Sequence, residues 1–197
     1  MTRLLTALFL LCGCANAGDQ PPSPGGKASA KAPAPVSAAA DRFSCRRPAG
    51  WEAKNGTEKE RAADIQKLEL LGPRADKAPV MIYASFYGQA NQVFAGYEDF
   101  IERNSKNILG ETESETEKFG PVKKTTLSGR KVFAFDSEIK EYLDPESKAG
   151  DSVVIKEKFY VEPAKGGFFV LHYYAPASVY KKYLPVFREF SASCRVR

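Results

Sequence analysis

Apolar residues along this chain change their period several times, and each change predicts an element. The run IQKLELLG from Ile65 reads as a strand, and APVMIYASFYG from Ala78 is an almost wholly apolar strand. Before them, FSCRRPAGW to Trp51 predicts a short strand that ends in a Pro/Gly turn. Three such segments in succession suggest an antiparallel start. The stretch YEDFIERNSKNILG then places Tyr97, Phe100, Ile101, Ile108 and Leu109 near one helical face, with Gly110 suited to a left-handed stop. This helix is expected to cover the sheet.

Strand patterning returns in GRKVFAFDSEIKEYL from Gly129, SVVIKEKFYVEP from Ser152 and GGFFVLHYYAP from Gly166. The loop DPESKAGD, from Asp144 to Asp151, separates the first two, and EPAKGGF makes a shorter turn before the last. At the end of the chain Tyr180, Tyr183, Leu184, Phe187 and Phe190 recur at helical spacing around Pro185. A proline inside a helix costs about 3 kcal/mol, so a kink or a new helix is expected there. The order predicts an α+β fold in which helices pack on an antiparallel β-sheet. With 197 residues, 43% of them hydrophobic, the chain has material for one sizeable core, and a single globular domain over residues 41–197 is expected.

That order, the early PAGW from Pro48 to Trp51 and the closing FREFSASC resemble the PsbP-like and DcrB-like α/β/α sandwich domains. The resemblance spans about Phe43 to Val196. It implies a fold more than a task, because domains of this kind serve as extrinsic assembly factors, nuclear-transport effectors or envelope lipoproteins. No binding motif of the group matches here residue by residue, so no ligand residues are carried over.

The first residues have the parts of a secretory signal: Arg3, an apolar stretch from Leu4 to Leu11, then small residues. The apolar stretch is far shorter than the roughly 18 residues that a spanning helix needs. Within it, LCGC from Leu11 to Cys14 resembles the lipobox of bacterial lipoproteins. The resemblance implies that residues 1–13 leave as signal peptide and that Cys14 carries the lipid. Ala15 stands where an inner-membrane retention signal has Asp, which implies an outer-membrane address facing the periplasm. Cleavage after Ala17, in CANA, is the alternative and would release a secreted chain. Residues 14–40 then form a tether, because a segment of Ala, Pro, Gly, Ser and Lys buries too little to offset the entropy of ordering it. Its flexible span is roughly 25 to 30 Å.

In an exported chain whose other cysteines are accounted for, Cys45 and Cys194 are expected to form a disulfide. Neither lies in a C-x-x-C motif or beside a histidine. A net charge of +5 is small and dispersed, which argues against nucleic acid as a partner, and CRRP and VKK are expected to be solvated surface. No G-x-S-x-G, H-E-x-x-H or P-loop occurs, and DPESKAGD lacks the spacing of a calcium loop. No cofactor or metal is expected. NGT from Asn55 fits a glycosylation acceptor, a chance match in a bacterial lipoprotein. His172, the sole histidine, shares a strand face with Phe168, Val170 and Tyr174, and is expected to be structural. ETESETE puts Glu111, Glu113, Glu115 and Glu117 on one face if extended, a cation surface or, as the stronger reading, a solvated edge.

Aromatic residues crowd the strands, and they are all core if helices cover both sheet faces. Three functions follow. The first is a lipid-anchored, non-catalytic interaction or assembly accessory module, held to the membrane and meeting a protein partner in the cell envelope. The second is a carrier for a small apolar ligand in an aromatic-lined pocket. The third and weakest is an enzyme with an unrecognised site around His172.

Overall fold

The structure is a computed structural model that describes residues 35–37, 42–143 and 151–197, all within the compact unit Ala32–Arg197. Residues 1–13, the proposed lipid site Cys14 and residues 144–150 of the DPESKAGD loop lie outside the described residues. In chain order the elements are β1 (Pro35–Ser37), β2 (Phe43–Arg46), β3 (Glu52–Asn55), α1 (Glu58–Ala62), β4 (Ile65–Ala75), β5 (Ala78–Gly88) and α2 (Tyr97–Asn104). They continue with β6 (Glu117–Phe119), β7 (Lys123–Leu127), β8 (Arg130–Tyr142), β9 (Ser152–Ala164), β10 (Gly167–Pro176), α3 (Ala177–Ser193) and β11 (Arg195–Val196). Eight strands form one antiparallel sheet in the order β3-β4-β5-β10-β9-β8-β6, with β7 also paired to β8. A second sheet, β1-β2-β11, joins the two ends of the domain.

Local chemistry sets the turns. Asp76 and Lys77 (φ 49° and 67°) and Ser128 and Gly129 (φ 50° and 82°) occupy the left-handed region, so β4–β5 and β7–β8 close through two-residue turns whose twist matches the strands. Thr57 caps α1, its hydroxyl accepting from the Glu60 amide while the Glu60 carboxylate accepts from the Thr57 amide. In β4 the register shifts between Leu71 and Arg74. Trp51 lies against Gly72 at that bulge, where a Cβ would come within 2.7 Å of the indole.

Helices α2 and α3 lie on opposite faces of the large sheet, giving the expected α+β architecture. On one face α3 buries Phe187 and Phe190 against Phe43, Phe86, Phe169, Leu171 and Tyr173. On the other, α2 buries Phe100 among Phe135, Phe159, Val161, Phe168 and Val170. The strand aromatics are therefore largely core, as expected if both faces are covered.

Four details differ from the sequence reading. The helix at Tyr97 ends at Asn104, whose side-chain amide donates to the Phe100 carbonyl at 2.7 Å; Ile108 and Leu109 lie beyond it and outside the core. α3 is one helix from Ala177 to Ser193 with Pro185 inside it, so of the kink or new helix expected there the new helix does not occur. Pro185 and Lys181, whose carbonyl loses its donor, are both exposed, so that carbonyl is not left unpaired in the core. The ETESETE stretch is not an extended row, because Ser114 donates to the Glu117 carbonyl and turns the chain. Pairing also begins within the stretch assigned to the tether, where β1 adds to the free edge of β2.

Candidate functional site

Antiparallel register carries His172 to the middle of the sheet, opposite Tyr83 on β5 and Phe159 on β9. The side chains on that face stack. Ring centroids are 5.3 Å apart for Tyr83 and His172, 4.2 Å for His172 and Phe159, and 4.6 Å for Phe159 and Phe135. Lys67 on β4 closes the row with its ammonium 5.1 Å from the Tyr83 ring centre. Four neighbouring strands thus contribute one ring each to a continuous π-stack, and a fifth adds the cation at its end, which the alternation of strand positions makes possible.

A polar row runs beside the stack, one pleat further along. Ser137 on β8 donates to Glu157 Oε2 at 2.6 Å, and Glu157 Oε1 lies 2.8 Å from His172 Nε2. Tyr174 donates to Glu141 Oε2 at 2.8 Å. Ser137 is buried, while the His172 and Glu157 side chains are 20% and 13% exposed. Burial holds the Glu141 carboxyl above its ordinary range; the Tyr174 hydrogen bond opposes this, and the Glu157 charge adds to it. The Tyr83 and Tyr174 hydroxyls are raised first by burial and then by surrounding carboxylates, so both stay protonated donors.

The order of these groups decides their chemistry. In a nucleophilic triad the imidazole accepts the serine proton, whereas here the carboxylate stands between hydroxyl and imidazole, so His172 has no contact through which to activate Ser137. The row satisfies buried polar atoms and pins three strands in register. Among the described residues, no group of three His, Cys, Asp or Glu side chains is placed to hold a metal ion.

The same strands show a different character on the opposite face. Asp136 pairs with Lys158 at 2.9 Å and Glu138 with Lys156 at 2.8 Å, alternating in sequence with Ser137 and Glu157. Beside α3 these pairs line a cleft of about 530 Å3, walled by Tyr180 and Leu184 of that helix and by Phe119. Burial, followed by the nearby Asp136 carboxylate, raises the Tyr180 hydroxyl above its ordinary range.

Of the residues singled out in the sequence, Cys45 and Cys194 are joined in a disulfide across a separation of 149 residues. It sits within the α3-side core, away from the His172 row. The sequence reading missed Glu157 and Ser137. Their signal was present as polar positions on otherwise apolar strand faces, in DSEIKEYL and VVIKEKFYV, but register is required to see that they meet.

No protein-family model matches the chain, and comparison with curated proteins gives no match. Among solved structures the chain is similar to the solution structure of cyanobacterial PsbP (CyanoP) from Synechocystis sp. PCC 6803, with a TM-score of 0.49 and 8% sequence identity, over 89% of this chain and 98% of that one. This likeness concerns the course of the chain alone.

Proposed function

We propose that the chain is a lipid-anchored lipoprotein of the cell envelope, held at the outer membrane through Cys14, whose domain is a non-catalytic interaction or assembly accessory module in the periplasm. One observation carries the interaction reading. Ile108 and Leu109 are 82% and 78% exposed, whereas the next most exposed large hydrophobic side chain among the described residues, Val93, is at 46%. They are not frayed chain. Asn107 Oδ1 accepts from the Leu109 and Glu111 amides at 2.9 Å each, the Asn107 amide donates to the Glu111 carbonyl at 2.8 Å, and Gly110 (φ 82°) closes the turn onto the Asn107 carbonyl.

Covering an aliphatic side chain of this size is worth about 1.5–3 kcal/mol. A turn so well bonded that leaves two of them in water is suited to being covered by another molecule. The LCGC motif supports the anchor, and the Ala/Pro-rich stretch after it supplies reach.

Two measurements test this reading in intact cells. Cys14→Ser should move the protein from the membrane to the released fraction; a variant that still needs detergent defeats the anchor. A benzophenone side chain placed at Leu109 should crosslink to a product of defined mass, while one at exposed Lys181 on α3 should not. Equal labelling from both positions, or none from either, defeats the interaction module.

A further inference from the structure

Resting on the anchor reading, the charge at the point where the leash meets the body indicates which side faces the membrane. Basic residues that are dispersed along the sequence are gathered there by pairing in the second sheet, with Arg195 opposite Ser44 and the Arg197 amide donating to the Arg42 carbonyl at 2.9 Å. Phe43 and Cys45 are buried, so strand alternation turns Arg42, Ser44 and Arg46 outward, and Arg195 shares their side as a cross-strand partner. Arg47 follows directly. Lys165 precedes Gly166, where a Cβ would lie 3.9 Å from Arg42 Nη1. All five cationic side chains are exposed.

Their charge is not cancelled locally. No acidic residue occurs in 42–47 or 195–197. The Arg42 guanidinium lies 5.5 Å from the Phe86 ring centre, and Arg195 donates to the Ala192 and Cys194 carbonyls at 2.8 and 2.7 Å, so both are held by neutral groups. Arg46 and Arg47 enter no ion pair among the described residues. Glu162, the carboxylate that feels Arg195, is already held by Arg130 at 2.7 Å, and Glu189 is the sole acidic residue of α3, with Arg188 beside it.

We infer that this cationic face rests on the anionic headgroups of the bilayer to which Cys14 ties the chain, and so orients the body on the membrane. The leash decides among occupants. β1 pairs Pro35 with Arg46, so the chain arriving from Cys14 joins the body on the arginine strand itself. Residues 15–34 lie between, and a segment of that length and composition spans roughly 25 Å. Lys27 and Lys31 outnumber Asp19 within it. A few cations hold a free protein to anionic lipid only weakly, but a leash makes the contact intramolecular, at an effective concentration of about millimolar. Guanidinium groups suit the task, because each can hold a phosphate through two hydrogen bonds. An acidic protein partner requires no such placement, since it can approach any side of the body.

The test uses the chain from Ala15, which keeps the leash and the whole compact unit but lacks the lipid. It should float with vesicles of phosphatidylcholine and phosphatidylglycerol and not with phosphatidylcholine alone. Arg46→Ser/Arg47→Ser should lower the partition coefficient by about tenfold or more, whereas Lys123→Ser/Lys124→Ser, which removes the same charge from β7, should change it by less than about twofold. Raising salt from about 0.1 M to about 1 M, where screening shortens from about 10 Å to about 3 Å, should release the protein. Unchanged thermal melting of both variants excludes unfolding as the cause. In intact cells, a benzophenone side chain at exposed Ala49 of the lipidated chain should give lipid adducts.

Flotation with neither kind of vesicle, or equally with both, overturns the inference, and so does an equal loss from the β7 pair, which reduces the effect to net charge. A protein product of defined mass from Ala49 assigns the face to a protein partner and also overturns it. The anchor is judged separately, by whether Cys14→Ser leaves the membrane fraction, and it stands if only the vesicle test fails.

Discussion

The two faces of the large sheet are covered by helices of unequal length, and the difference sorts their residues. α3, with 17 residues, lies over a continuous apolar field that includes Phe43, Tyr173 and the Cys45–Cys194 disulfide. α2, with 8 residues, shields only the aromatic cluster around Phe100. Where α2 stops, the same face changes from Phe and Val to Tyr83, His172, Glu157, Ser137 and Glu141, which satisfy one another by hydrogen bonding and stacking. A strand face need not be apolar to be half-buried, but its polar atoms must then find partners.

The largest test of this contrast compares the anchors of the two helices. Phe187 stacks between Tyr160 and Tyr173 at 5.6 and 5.2 Å with no exposure, so Phe187→Ala should cost about 4 kcal/mol in chemical denaturation. Phe100→Ala should cost nearer 3 kcal/mol, because a two-turn helix can settle into part of the cavity. Equal costs would mean that the short helix is held as firmly as the long one. Next, Cys194→Ala should lower stability by about 2–4 kcal/mol, below the chain-entropy ceiling near 5 kcal/mol for so long a loop. An unaltered melting point under oxidising conditions would remove the disulfide from the α3-side core.

Smaller effects sharpen the picture of the polar row. His172→Phe preserves the stack but deletes the contact to Glu157, and should cost about 1–2 kcal/mol. A neutral or stabilising result would show that stacking alone orders these strands. The smallest effect is one of pH. Because burial raises the Glu141 carboxyl in the folded protein, the native state favours its protonated form. Its contribution to stability is therefore fullest below the unfolded value and declines as pH rises through the folded one. Glu141→Gln, which keeps an acceptor for Tyr174, should raise the urea midpoint at neutral pH and lose that advantage at about pH 3. The same gain at both pH values would contradict the assigned cause.

Much of the fold was legible because strand period and turn chemistry act over a few residues. The strands at Ile65, Ala78, Gly129, Ser152 and Gly166 and the terminal helix were all predicted from alternation and spacing. Local signals also explain the errors. Ile108 and Leu109 fit the apolar stripe of the preceding helix, but Asn107 offers its own side chain to the backbone and starts a turn instead. Pro185 suggested a kink or a new helix, and no second helix starts at that exposed position. α1, β6 and β7 are short and polar, so periodicity passed over them.

What the amino-acid order determined alone was the kind of the longer elements and the face each turns inward, which depend on spacing along one chain, and the cysteine pair, which followed from accounting for the other two cysteines. Only the tertiary structure decided that Glu157 on one strand meets His172 on the next and Ser137 on the strand before. It also decided that Ile108 and Leu109, which fit a helix face by spacing, stand exposed beyond the end of α2. Pairing register and helix ends are set by contacts far apart in sequence, and no local pattern encodes their outcome.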